Sequence, residues 1–343
     1  MKCTRFLALL LAVAFALCFF TACGEKEESS GEPSGDSTSG GSTVHRPKYM
    51  LPTKVVQTYY DSQGNTASAL LTIRMEEEEF LFTREAMEGS DLPEYTYRIK
   101  LTQTGMALSV AKYGPDGALQ QKLENAYDDS LNLVKRTVYN ADGSVAVEQN
   151  IQWEYNDFGN PIKSTERDEN GNVTRTTVFE YITGGWLLSR VEYDGEGAVA
   201  SRCVYEYGPD GRTTVTVCDG DWVVERTTAF DETGKTMEEV LYGEKWNVAE
   251  RITYEYDKNG NLTKKYSERY AEDGSVCGQT TEEHTFDERG SWSTYSIYDP
   301  DAEVNLSCEV TALSALPVTR PEASYLYQTI LLLSGLQKEG NLT

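Results

Sequence analysis

Two histidines, His45 and His284, bound the acid–base and metal chemistry open to this 343-residue chain. A Ser-His-Asp triad, a Cys-His pair or a histidine-bound metal would have to rest on one of them. His45 lies in a Gly/Ser-rich stretch, and His284 sits in EEHTFDE, a strand running into a turn. That context predicts a structural imidazole. No GxSxG, HExxH, phosphate-binding loop or dinucleotide fingerprint occurs. Adjacent acids such as Glu282 and Glu283 are unavoidable among 55 Asp+Glu and carry no glycosidase signal of their own.

Oxygen-rich turns are the one place where a metal could be held. DENGN at Asp168, DKNGN at Asp257 and GDW at Asp221 cluster oxygens near glycine. Calcium needs six to eight oxygen ligands, and EF-hand loops add a bidentate Glu at fixed spacing, which these turns lack. Ordinary turn chemistry accounts for the Asp and Asn residues, so no cofactor is predicted and calcium is the metal to test.

Cysteines contribute an anchor rather than a catalyst. Of seven, Cys3 and Cys18 fall in an N-terminal apolar segment and Cys23 follows it; Cys203, Cys218, Cys277 and Cys308 form no CxxC pair. A three-residue hairpin loop between Cys203 and Cys218 sets Cys203 opposite Val217, so the two sulfurs lie on opposite faces. All four are expected to be half-buried strand residues.

Tryptophans supply the remaining candidate surface. Trp186, Trp222 and Trp246 each follow a degenerate corner, and Trp292 follows FDERG. Rings recurring at one place in a sheet would form a stripe able to stack on sugars or receive a partner protein. The competing reading makes them the core of a Leu-poor sheet.

The elements that position these residues are written as a repeating turn phrase. An aromatic residue precedes Asp, Asn or Gly, two polar residues and Gly: YDSQG at Tyr60, YGPDG at Tyr113 and Tyr207, YNDFG at Tyr155, YDKNG at Tyr256. Asp or Asn can bond the backbone N–H groups ahead of it, and Gly takes positive φ at the fourth place, as a type I turn with a G1 bulge requires. Corners recur about every 12 to 16 residues, leaving strands of roughly 6 to 10. The strands alternate: Ile252, Tyr254 and Tyr256 against Arg251, Thr253 and Glu255, and Ser189, Val191 and Tyr193 against Arg190 and Glu192. The expected fold is all-β, a long antiparallel β-meander of about 16 to 18 strands. Twist and repeated bulges should curl it into a partly closed sheet.

YDKNGNLT at Tyr256 and YNDFGN at Tyr155 resemble the YD repeat of the rearrangement-hotspot (RHS) proteins. The resemblance spans most of residues 55–300. Large RHS proteins form hollow β-shells around toxins or act as adhesion modules, and the resemblance implies a shell-like sheet. This chain is short for a full shell, and YDPDAEVNL at Tyr298 lacks the glycine of the family's DPxGL segment. Small YD-repeat lipoproteins are the nearer likeness.

The address is written at the N-terminus. Lys2 and Arg5, an apolar run from Phe6 to Phe20, and FTACG form a secretory signal too short to span a bilayer as a helix. A Cys after small residues resembles a bacterial lipobox, which implies cleavage after residue 22 and a lipid on the Cys23 thiol. Residues 23–48 read as a Gly/Ser/acidic tether. Segment 49–112 is strand-rich, 113–310 carries the repeats, and 311–343 reads as a helical cap starting near Pro321. Without residues 1–22, Lys+Arg falls from 31 to 29 against 55 acids, a charge near −26. That balance excludes nucleic acid as a partner. The chain is thus expected to be a bacterial, membrane-anchored, extracytoplasmic binding or scaffold lipoprotein for glycan, cell wall or protein. The other readings are a polysaccharide enzyme with paired carboxylates and a structural envelope component.

Overall fold

One corner shows how the chain is built. The Asp168 N–H donates to the Asn172 carbonyl at 3.0 Å, and the Gly171 N–H donates to the Asp168 carbonyl at 3.0 Å. Asp168 Oδ1 accepts the Asn170 and Asn172 N–H groups at 2.9 and 2.8 Å. Gly171 takes φ 82°, a region a Cβ disfavours. Asp128, Asn156, Asp194, Asp219, Asp231 and Asp257 repeat the side-chain pattern.

The computed structural model describes residues 48–317 apart from 62, 244–245, 288–291 and 301–303, together with Leu326 and Thr329. Among the described residues, twenty strands follow one another in chain order. The first ten are β1 Lys48–Asp61, β2 Thr66–Glu76, β3 Glu79–Ala86, β4 Tyr95–Leu101, β5 Ala107–Tyr113, β6 Leu119–Tyr127, β7 Leu133–Tyr139, β8 Val145–Tyr155, β9 Pro161–Arg167 and β10 Val173–Tyr181. The others are β11 Leu187–Asp194, β12 Val199–Tyr207, β13 Thr213–Asp219, β14 Val224–Phe230, β15 Thr236–Tyr242, β16 Val248–Tyr256, β17 Leu262–Tyr270, β18 Val276–Phe286, β19 Trp292–Tyr298 and β20 Val304–Pro317. Each pairs antiparallel with the next, as the corner spacing predicts.

The expectation of a curled or partly closed sheet is corrected: the meander closes. β1 pairs with β2 on one side and with β20 on the other, from Lys48 opposite Pro317 to Asp61 opposite Val304. The result is a 20-stranded antiparallel barrel. Closure is driven by the inward residues of the two longest strands, Val55 facing Val310 and Tyr59 facing Leu306. Residues 311–317, assigned to the cap on sequence, instead carry β20 to Pro317. Of the cap itself, Leu326 and Thr329 are helical and buried, and Leu326 joins the core. Its other residues, like the signal, Cys23 and the tether, lie outside the described residues.

Core density is uneven around the barrel. Cross-strand neighbours Ile73–Phe82, Phe82–Tyr97, Ile99–Val110, Val110–Leu123 and Leu123–Val138 run inward from β2 to β7, and Tyr295, Ile297, Leu306 and Cys308 complete the cluster. From β9 to β18 most buried inward positions are small or polar, among them Ser164, Thr177, Cys203, Thr228 and Ser267, with Ile252 the large apolar exception. The alternation expected for β11 is reversed in consequence. Arg190 opposes Phe179 and Cys203, so Arg190 and Glu192 face inward while Ser189 and Val191 face out. The register is fixed by the corners, and this polar arc admits an Arg190–Glu192 pair at 3.2 Å. Outward faces carry cross-strand ion pairs such as Lys135–Glu148, Lys163–Glu154 and Arg251–Glu238. Exposed pairs of this kind contribute little stability.

Candidate functional site

Up-and-down topology sorts every corner onto one of two rims. The chain comes in at Lys48 on what we term the near rim, and corners leading from even to odd strands lie there. Corners leading from odd to even strands line the far rim. This sorting separates the four tryptophans.

Trp222 and Trp246 lie on the far rim, in the β13–β14 and β15–β16 corners. They do not follow their corners, as the sequence reading has it, but occupy the fourth position where Gly normally stands. Their φ angles are 66° and 63°, and they are 57% and 59% exposed. Arg202 steadies Trp222. Its guanidinium lies 4.4 Å from the indole centroid and donates to the carbonyls of Asp219 and Gly220. The two corners are successive on the rim, two strand spacings or about 10 Å apart.

Trp186 lies on the near rim, 58% exposed, edge-on to Tyr207 at 4.9 Å. Trp292 opens β19 at the same rim, and its side chain lies outside the described residues. The single stripe expected on sequence is therefore not formed: Trp222 and Trp246 stand at one end of the barrel and Trp186 at the other. The alternative that these rings form the core is also set aside for Trp186, Trp222 and Trp246, since all three are exposed. A far-rim indole pair presents two π faces at a spacing suited to stacking on a sugar chain or a protein surface.

Sequence reasoning missed two features. The first is a near-rim apolar row. Leu131 takes φ 66° in the β6–β7 corner at 46% exposure, and Phe158 stands 90% exposed in the β8–β9 corner. Ile182 flanks Trp186 in the β10–β11 corner and is also exposed. The signal was present as Phe within YNDFG. Tyr155 ties the first two corners together, donating to Asp128 Oδ2 at 2.9 Å and accepting from Asn132 Nδ2 at 2.7 Å.

The second is a buried guanidinium. Arg84, 1% exposed, donates from Nε to Gln57 Oε1 and from Nη1 to the Pro93 carbonyl, both at 2.8 Å. It lies 5.6 and 5.7 Å from the Tyr59 and Tyr95 ring centroids. Its Nη2 has no hydrogen-bond partner among the described residues. Burial pushes the Tyr95 phenol up to about 12, with Arg84 pulling the other way. Burial, and then Arg84, pull Lys112 down. The alternation Phe80, Phe82, Arg84 in EFLFTREA already aims this arginine inward. So sealed a group cannot meet a ligand without opening the barrel, which gives it a structural role.

The metal and catalytic candidates resolve as follows. The Asp168 and Asp257 carboxylates are turned onto their own corners. Asn172 and Asn261 side chains, with corner N–H groups, hold both below the usual carboxylate range. Their Oδ1 lone pairs are thereby committed, and no cluster of three or more metal-type ligands forms among the described residues. His284 is buried against Tyr295 at 4.7 Å, and its Nε2 has no hydrogen-bond partner among the described residues. Burial lowers it to about 4. Cys203 opposes Val217 and Arg202 opposes Cys218, so the two thiols occupy opposite faces and are free. Cys203, Cys218 and Cys308 are buried rather than half-buried, and Cys277 is exposed. Glu166, inward on β9, is raised by burial, with Arg175 and Arg136 lowering it and Glu192 adding to the rise.

No family model matches the chain, and no curated protein does. Among solved structures, a porin-like protein from Bacteroides uniformis matches at 11% identity over 77% of this chain and 97% of its own, with TM-score 0.32. A porin-like protein from Bacteroides vulgatus matches at 10% identity over 79% and 100%, with TM-score 0.18. A DUF1329 family protein from Desulfovibrio piger matches at 8% identity over 80% and 87%, with TM-score 0.14. Likeness at this level assigns neither a family nor a function.

Proposed function

We propose that this chain is an exported lipoprotein, anchored to a bacterial membrane through Cys23, whose barrel is a surface binding or scaffold module of the RHS-like, YD-repeat type. Its far-rim indoles take a glycan, cell-wall or protein ligand. One observation carries this reading. Trp222 and Trp246 both hold a left-handed conformation that costs a non-glycine residue on the order of 1 kcal/mol or more, and both leave most of the ring in solvent. Strain with so little burial in return marks a residue kept for a surface role.

The test is binding of the mature chain to peptidoglycan and a polysaccharide panel, with and without calcium, using Trp222→Gly and Trp246→Gly. Glycine suits both corners, so folding survives. Saturable binding lost in these variants supports the reading. Binding unchanged in both defeats the glycan assignment and leaves a protein ligand, to be sought by crosslinking on cells. Calcium dependence would restore the corner carboxylates as ligands.

The inward acids support a second reading, a polysaccharide-acting enzyme. Glu166 is desolvated, and Glu192 stands two strands away on the same face and adds to its rise; glycoside hydrolysis draws on two carboxyl groups, one of them desolvated. Hydrolysis abolished by Glu166→Gln would support it, and activity on no glycan would end it.

A further inference from the structure

The near-rim row and the point where the chain joins the barrel lie at the same end. Leu131, Phe158, Ile182 and Trp186 occupy three successive near-rim corners, β6–β7, β8–β9 and β10–β11, and all four are exposed. Lys48 starts β1 on that rim. We infer that the near rim is a lipid-contact surface, on which these four side chains dip into the headgroup and acyl boundary of a zwitterionic bilayer. The inference rests on the proposed anchor at Cys23.

Four arguments favour a bilayer over a protein groove. First, the side chains stand on three separate corner tips about 10 Å apart, which suits a deformable medium. Second, the tips are held stiffly: Tyr155 bridges two of the corners, and Tyr127, Tyr181 and Tyr207 pin neighbouring strand ends on the same rim. Third, 24 residues separate Cys23 from Lys48. By the random-coil scaling of Gly/Ser-rich sequence, a tether of that length corresponds to about 27 Å. Turning the far rim to the membrane would require the tether to run the barrel's height as well, roughly 25–30 Å for these strands. The near rim therefore faces the anchor. Fourth, anchoring raises the effective concentration of rim and lipid, so a weak apolar contact suffices. Charge selects the lipid. The corners present Asp128, Asp129 and Asp157 beside the row, which disfavours anionic headgroups.

The test uses the full chain, produced with its anchor and reconstituted in phosphatidylcholine vesicles carrying brominated acyl chains. Flotation with vesicles, compared between wild type and Cys23→Ala, reads the anchor. Emission quenching, compared among wild type, Trp186→Phe, Trp222→Phe and Trp246→Phe, reads the rim. We expect bromolipid quenching that falls in Trp186→Phe and persists in both far-rim variants. Quenching should weaken in Leu131→Asp/Phe158→Asp, exposed positions whose change leaves the barrel folded by circular dichroism. Phosphatidylglycerol in the vesicles should reduce it. An anchored chain whose Trp186 emission ignores brominated lipid overturns the inference and leaves the anchor intact. Equal flotation and quenching of Cys23→Ala overturns the anchor and leaves the rim contact standing. A wild-type chain that neither floats nor quenches overturns both.

Discussion

The Tyr181 hydroxyl donates to the Pro161 carbonyl, 20 residues earlier, at 2.8 Å. The end of β10 is thereby clasped to the start of β9. The same link recurs at the same spacing from Tyr127 to Ala107, Trp153 to Leu133, Tyr207 to Leu187 and Tyr256 to Thr236. At Tyr207 and Tyr256 the aromatic of the turn phrase thus closes the preceding hairpin as well as ending its own strand.

Removing one clasp should have a modest, measurable cost. Tyr181→Phe keeps the ring and deletes the hydroxyl, so about 1 kcal/mol should be lost in urea denaturation. Tyr181→Phe combined with Tyr256→Phe should cost the sum of the two, because the sites are far apart and share no partner. An unchanged midpoint for the single and the double variant would show the clasps to be decorative.

Corner glycines and corner tryptophans should respond to substitution by different amounts. Gly171 holds φ 82° with open space where a Cβ would stand, so Gly171→Ala should destabilise by roughly 1 kcal/mol through backbone strain alone. Trp222→Gly removes that strain but also the Arg202 contact at 4.4 Å, itself worth about 0.5–1 kcal/mol at an exposed site. Stability of this variant should change by less than about 1 kcal/mol. Gly220→Ala is a sterner case, since its Cβ would strike the Val199 carbonyl. Equal losses for all three variants would contradict this ordering.

What the sequence made legible follows from how local each cause is. Asp168 and Gly171 make a corner with partners no more than four residues away, so the phrase reads directly as structure. Closure depends on Val55 meeting Val310, a contact that no local pattern announces. The inward turn of Arg190 was hidden for a similar reason. Alternation gives two faces, but only the register to Phe179 and Cys203 says which is inside. Trp222 and Trp246 misled because tryptophan is a poor left-handed residue. The corner was read as ending before them when it includes them.

Arg84 offers a sharp test of a buried charge. It is compensated by Gln57, the Pro93 carbonyl and two phenol rings, without a carboxylate partner in those contacts. Truncation by Arg84→Ala leaves a cavity and removes the Nε donor to Gln57 Oε1, and should cost on the order of 3–5 kcal/mol. Arg84→Met keeps most of the volume and removes the desolvated charge, and should cost well under half as much. If both are equally destabilising, the guanidinium contributes binding to its neighbours that its geometry does not suggest.

His284 sets the pH response between 7 and 5. In the unfolded chain its imidazole titrates near 6.5, and in the barrel burial lowers it to about 4, against the pull of Glu282 and with a further push from Lys265. The folded state therefore takes up its proton later than the unfolded state. Stability is fully present above pH 6.5 and falls as pH drops from 6.5 toward 4. From pH 7 to 5 the loss should be about 2 kcal/mol. The cornering aspartates, whose values are lowered, add losses only at more acidic pH. Glu166, raised by its burial, opposes the trend weakly from the other side. Urea unfolding of wild type and His284→Gln at both pH values isolates the imidazole. The variant should lose most of the pH dependence across that interval, while a variant as pH-sensitive as the wild type would move the origin of acid lability elsewhere.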